Sequence, residues 1–266
     1  KNVIHSAFGN GGQKCSATSL LILEKEVYQD PLFKNQLKDA AESLAVGSAW
    51  RFKNRMGPLI RPPDGRLLDA LTRLEKGEGW VLKPKNIDGN PCLWTPGIKW
   101  GVQAGSVTHM TEFFGPVLGV MQANDLDHAI RLANQTGYGL TAGLESLDDR
   151  EQTRWKKGIC AGNLYINRGT TGAVVLRQPF GGMGKSALGA GIKVGFFNYV
   201  AQFMEFEEIA PSISEAVAAE HPLMRAAQDW QNKLDWGQLK DFHDDLFKTI
   251  RAVKSYLYWY EHEFSR

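Results

Sequence analysis

What most constrains this chain is an alternation. From Ala17 onward, short apolar runs bounded by glycine or proline trade places with segments of helical spacing. "ATSLLILE" (17–24) reads as a buried strand, and "DPLFKNQLKDAAESLAV" (30–46) as a helix with Asp30 as its cap and Pro31 in first position. After the loop "MGPLIRPPDG", the pattern predicts a helix over Arg66 to Lys76 and a strand over "GWVLKP" (79–84). "PVLGVMQ" then reads as a strand and "DLDHAIRLANQT" as a helix capped by Asp125. "GLTAGLES" is a strand, "LDDREQTRWKKG" a helix and "GNLYIN" a strand. Strands alternating with helices of roughly 10 to 12 residues predict an α/β fold with a parallel sheet.

Near residue 207 the composition changes. Beyond it glycine almost vanishes, and the chain reads as helices broken at Pro222 and near Gly237. The expected organisation is therefore a domain over 1–206 and a helical tail over 207–266. Tyr256, Tyr258, Trp259, Tyr260 and Phe264 crowd the end of that tail, either as the core of a small helical module or as an anchor for a neighbour.

Bulk numbers exclude several classes. With 266 residues and 43% hydrophobic content the chain can bury a substantial core. Its 31 basic and 29 acidic residues nearly cancel, and no basic cluster is interleaved with aromatics, which argues against nucleic acid as a partner. Three scattered cysteines (Cys15, Cys92, Cys160) make no disulfide framework and no zinc spacing, so a reducing, cytoplasmic setting and no metal are expected. No apolar run approaches the ~20 residues of a membrane span. The first residue, Lys1, is not a methionine, and the expectation is a piece of something longer.

Three segments hold the residues for chemistry. In "GGQKCSA" (11–17), Cys15 follows a lysine at the exit of a glycine turn. Glycines there let backbone come close to a ligand, and nearby positive charge and N–H groups favour the thiolate, the nucleophilic form. The same N–H groups suit an oxyanion. The competing reading is an inert buried thiol, since cysteine packs as a small hydrophobe. In "TEFFGPV" (111–117), Glu112 is either a surface carboxylate or an acceptor for sugar hydroxyls. The third segment runs from "GNLYINR" through "GTTGA" (169–173) to "RQPFGG" (177–182). Small residues in "GTTGA" leave N–H groups free to hold an anion such as a carboxylate. "GGMGKS" is not a phosphate loop, because that motif needs glycine where Pro179 stands, and no GxGxxG follows a strand.

In this order, "GQKCSA", "EFFGPV", "GNLYINR" and "QPFGG" resemble the aldehyde dehydrogenase superfamily. Lysine before the cysteine, serine after it, and "TTGAVV" before "RQPFGG" resemble its 1-pyrroline-5-carboxylate dehydrogenase branch, including that domain of the bifunctional proline-utilisation flavoproteins. The likeness covers residues 3 to about 206. It implies an aldehyde dehydrogenase catalytic domain with an oligomerisation element, acting on glutamate 5-semialdehyde with NAD. Cys15 would be the nucleophile, passing through a thiohemiacetal and a thioester. Ser16, Gly172 and Ala173 would hold the substrate carboxylate, Phe180 would wall its aliphatic part, and Glu112 would bind the nicotinamide ribose of the cofactor with Phe114 packed beside it. The resemblance also implies that the general-base glutamate, the oxyanion asparagine and most of the dinucleotide-binding half precede the cysteine, outside these residues, so these residues alone are expected to be inactive. A proline dehydrogenase domain with FAD upstream and a homo-oligomer follow from the same likeness. The alternatives are another aldehyde, or a scaffold that has kept the fold without the chemistry.

Overall fold

The computed structural model describes residues 1–189, 192–195, 197–207, 221–233 and 240–260. These form two compact units, Lys1–Phe203 and Met204–Arg266. In the first, the order is α1 (Asn2–Phe8), β1 (Leu20–Glu24), α2 (Lys25–Gln29), α3 (Pro31–Glu42), α4 (Gly65–Thr72), β2 (Gly79–Leu82), β3 (Gly97–Trp100), α5 (Val107–Met110) and β4 (Val117–Ala123). Then come α6 (Leu126–Gln135), β5 (Tyr138–Gly139), β6 (Thr141–Leu144), α7 (Asp149–Gly158), β7 (Asn163–Ile166), β8 (Met183–Gly184) and a 3₁₀ helix over Phe197–Phe203.

The central sheet has the order β1-β4-β3-β2. β4 lies in the middle, parallel to β1 (Leu20 opposite Gly119) and to β3 (Gly97 opposite Val117). Both of its faces are covered. Leu118 and Val120 pack with Ile4, Phe8, Leu37 and Ala41 from α1 and α3, while Met121 and Ala123 meet Val102 and Leu132. That two-sided burial is why "VLGVMQ" is continuously apolar rather than alternating. β6 and β7 form a second parallel pair.

Helices α3 and α6 start at the caps that the sequence places, and α7 starts at a third aspartate. Asp30 Oδ1 accepts from Leu32 N (2.8 Å), Asp125 Oδ1 from His128 N (2.7 Å) and Asp148 Oδ1 from Arg150 N (2.8 Å). The Arg150 side chain and amide hold the Asp148 carboxyl down at about 2. Because that value lies below the ordinary carboxylate range, the α7 cap contributes fully above about pH 4 and is lost as pH falls through about 2. A carbon-13 NMR titration of this carboxyl with a midpoint near 4 would show the contact to be absent.

The α/β fold with a parallel core is as expected, and β2 adds an edge strand antiparallel to β3. The chain between them contains no crossover helix and is folded back by an antiparallel bridge between Asn86 and Trp94. One expectation is corrected: helix α4 ends at Thr72 instead of Lys76. Arg73 turns extended (φ −122°, ψ 155°), and Glu75 N donates to Glu78 Oε2 (2.9 Å), curling the chain towards β3.

In the second unit, Pro222 opens α8 (Pro222–Lys233) and α9 spans Lys240–Trp259. Met224 and Leu257 are buried together with Ile250 and Val253 against them. The break near Gly237 and the ring of Phe264 lie outside the described residues. Tyr256 and Tyr260 stack with centroids 6.3 Å apart and stay exposed.

Candidate active site

The Cys15 segment leaves α1 through a turn whose Asn10 (φ 57°), Gly11 (φ 63°) and Gly12 (φ 70°) are left-handed. Asn10 braces it, its Nδ2 donating to Gln13 O (3.0 Å) while its carbonyl accepts from Gln13 N (3.0 Å). A second turn follows, with Ala17 N bonded to Lys14 O (3.0 Å). Cys15 stands exposed on that turn, so the buried, inert reading of this thiol does not describe it. Ser16 beside it is buried. Cys160 is also exposed, and Cys92 is half-buried.

The glycines bring the turn close to another part of the chain. A Cβ on Gly12 would stand 2.2 Å from the Gly115 carbonyl oxygen and 3.0 Å from that of Ala7. Gln13 completes the junction: its Nε2 donates to Phe114 O (3.2 Å) and its Oε1 accepts from Ile60 N (3.0 Å). At Gly12 the close backbone approach is to the "EFFGPV" turn. That turn is sharp, with Phe114 at φ 56° and its ring 41% exposed; Glu112 is exposed beside it.

The third segment is stitched to the first. Asn167 (φ 55°) ends β7 with its side chain bonded to both N and O of Ser146 (2.9 and 2.8 Å). Thr170 then bonds to Ser16, Thr18 and Ser6. Gly172 (φ 98°) has open space where a Cβ would lie, and Ala173 is half-buried. Phe180 is half-buried and paired with Val194 through two backbone bonds of 2.9 Å; Gly181 O accepts from Asn163 Nδ2 (2.9 Å). No described contact joins Phe180 to the Cys15 turn. Gln13 and Thr170, which hold the site together, carry no signal of their own in the sequence, since their partners lie far along the chain.

Between β3 and the chain before β2 lies a buried ion pair. Lys99 Nζ is 3.2 Å from Glu78 Oε2, with side-chain exposures of 2% and 0%. Lys99 also donates to Thr108 Oγ1 (3.3 Å) on α5. A cavity of about 260 Å³ opens beside it, lined by Glu75, Lys99, Thr108 and Phe113 among others.

The model of the aldehyde dehydrogenase family matches residues 1–209. This chain belongs to the aldehyde dehydrogenase family. A 1-pyrroline-5-carboxylate dehydrogenase of Halalkalibacterium halodurans is 34% identical over 211 residues, 79% of this chain and 40% of that protein. One of Bacillus subtilis is 34% identical over 216 residues, again covering 40% of its length. Among solved structures, proline utilization A (PutA) of Corynebacterium freiburgense matches with TM-score 0.74 and 46% identity, covering 85% of this chain and 24% of that one. A Thermus 1-pyrroline-5-carboxylate dehydrogenase with bound NAD matches with TM-score 0.68 and 34% identity, covering 77% and 39%. This chain spans about 40% of the length of the curated relatives it matches. Among its described residues, no helix is long and apolar enough to cross a membrane.

Proposed function

We propose that this chain carries the nucleophile and substrate-anchoring part of an NAD-dependent dehydrogenase of glutamate 5-semialdehyde. One observation carries the reading. The exposed thiol of Cys15 sits on a turn bonded on one side to the "EFFGPV" turn and on the other to the "GTTGA" loop, so three distant motifs converge. Cys15 Sγ adds to the aldehyde carbon to give a thiohemiacetal; loss of its hydroxyl proton to water and of a hydride, which NAD when bound would accept, leaves a thioester that water cleaves to the carboxylate and the free thiol. Glu112 and Phe114 fit one end of such a cofactor, as an exposed carboxylate and ring on a turn that Gln13 holds. Ser16 and the amides of Gly172 and Ala173 hold the substrate carboxylate, and Phe180 flanks its aliphatic part. The relatives named for 1-pyrroline-5-carboxylate support this substrate.

Three free cysteines suit a cytoplasmic setting. A proline-oxidising domain with FAD in the same polypeptide, and a homo-oligomer, belong to the same reading, supported by the likeness to proline utilization A.

The test uses a polypeptide of the relatives' length carrying these residues. NAD reduction should depend on glutamate semialdehyde and run well ahead of that with an aliphatic aldehyde lacking a carboxylate. Cys15→Ala should lower kcat by about 10³-fold or more. Turnover retained in Cys15→Ala would overturn the assignment. Alkylation followed by mass spectrometry should modify Cys15 before Cys92 and Cys160.

A further inference from the structure

Thr170 stands between the nucleophile and the proposed carboxylate loop, and its hydroxyl has one proton to give. Thr170 Oγ1 donates that proton to the Ser16 carbonyl (2.9 Å). Its contact with Thr18 Oγ1 (3.0 Å) is then a bond in which Thr18 donates. Thr170 N donates to Ser6 Oγ (3.0 Å), and the carbonyl of the same buried Ser6 accepts from Thr18 N (3.1 Å). The methyl is placed as well. Thr170 Cγ2 lies 3.0 Å from where a Cβ on Gly143 of β6 would be, so a larger residue at 143 would press on it. With methyl and hydroxyl both committed, χ1 of this β-branched residue has one setting.

Thr170 is also the last tied residue before the anion-holding stretch. Among the described residues, the next hydrogen bond along the chain is at Val174, whose carbonyl accepts from Arg177 and Gln178. Gly172 between them is left-handed and open. The Gly172 and Ala173 amides thus follow closely on this anchor.

We infer that Thr170 is a positioning residue that fixes the span between the thiol of Cys15 and the carboxylate-holding loop, and thereby selects aldehydes by the distance from carbonyl carbon to carboxylate. This rests on the substrate reading above. It needs no contact between Thr170 and the substrate, only the bond through which the loop is registered on the Ser16 backbone. Removing the hydroxyl frees the loop from that backbone while leaving the thiol and its turn braced by Asn10 and Gln13.

The test compares glutamate semialdehyde with an unbranched aldehyde of similar length lacking a carboxylate, in the polypeptide described above. Thr170→Val keeps the branched shape and removes the hydroxyl. It should raise KM for glutamate semialdehyde on the order of 10- to 100-fold, the usual effect of losing a hydrogen bond to a charged group. Its kcat should change by less than about 3-fold, and the constants for the other aldehyde should hold. Thr170→Ser, which keeps the hydroxyl, should restore most of the KM. Equal losses on both aldehydes would mark Thr170 as merely structural, and unchanged constants on both would show that it positions nothing; either result overturns the inference. Thr170→Ala, which cannot over-pack, gives the same comparison if the valine variant folds poorly. A parent enzyme with no preference for the carboxylate-bearing aldehyde would instead overturn the substrate reading, and this inference with it.

Discussion

Replacing Lys99 with methionine is expected to destabilise the Lys1–Phe203 unit by about 3–5 kcal/mol, the usual effect of leaving one member of a buried ion pair without its partner. The Glu78 side chain is fully buried, and its Oε2 faces Lys99 Nζ at 3.2 Å. Its Oε1 is buried with no hydrogen-bond partner, so without Lys99 the carboxylate keeps only the amide of Glu75. The penalty comes from the stranded charge more than from the lost attraction. Lys99→Met combined with Glu78→Gln should therefore recover most of the loss, because glutamine still accepts from Glu75 N and carries no charge. Urea unfolding of the single and double variants makes the comparison. A single variant that loses under about 1 kcal/mol, or a double variant as weak as the single, would show that Glu78 escapes to solvent or is protonated in the folded chain.

The same ion pair explains why one strand escaped sequence reading. β3 is buried at all four positions, yet "GIKW" follows a proline and places a lysine in the middle, which breaks the apolar run that marks an inner strand. Lys99 is tolerated there only because Glu78 comes back from the end of α4 to meet it, a fact of tertiary structure. Helices α3, α6 and α7 were legible because each is announced locally, by an aspartate followed by a free amide within three residues. The direction of β2 was not, since it depends on the Asn86–Trp94 bridge. The site divides in the same way. Cys15 and the "GTTGA" loop could be picked out because reactive or anion-holding groups stand among small residues, whereas Ser16 came from the family resemblance and Glu112 from a carboxylate beside aromatic residues at a Gly-Pro turn. The residues that register those motifs on each other, Gln13 and Thr170, bond across about 100 and about 150 positions and look like ordinary polar residues from the sequence.

Gly12→Ala is expected to abolish turnover in the active polypeptide, with a loss of about 100-fold or more, while Gly9→Ala in the same "GNGG" stretch is tolerated. Both glycines precede the nucleophile, so their difference lies in what surrounds them. Gly9 has φ −55° and nothing within 4 Å of where its Cβ would be, so alanine fits its backbone and its space. Gly12 has φ 70°, a conformation that costs an L-residue on the order of 1–2 kcal/mol by itself. Its Cβ would also lie 2.2 Å from the Gly115 oxygen and 2.7 Å from the Gly115 carbonyl carbon. Those atoms are backbone and cannot swing aside as a side-chain end would. The turn bearing Cys15 and the turn bearing Glu112 and Phe114 must therefore separate, breaking the Gln13 bond to Phe114 O and moving the thiol relative to the proposed ribose-binding carboxylate. A displacement of about 1 Å between reacting groups suffices for a 100-fold loss. The readouts are kcat/KM with glutamate semialdehyde and the KM for NAD, alongside circular dichroism to confirm that the sheet persists. Equal activity in the two alanine variants would mean that the Gly12–Gly115 contact does not hold the two turns together, and that the convergence of motifs at Cys15 has another source.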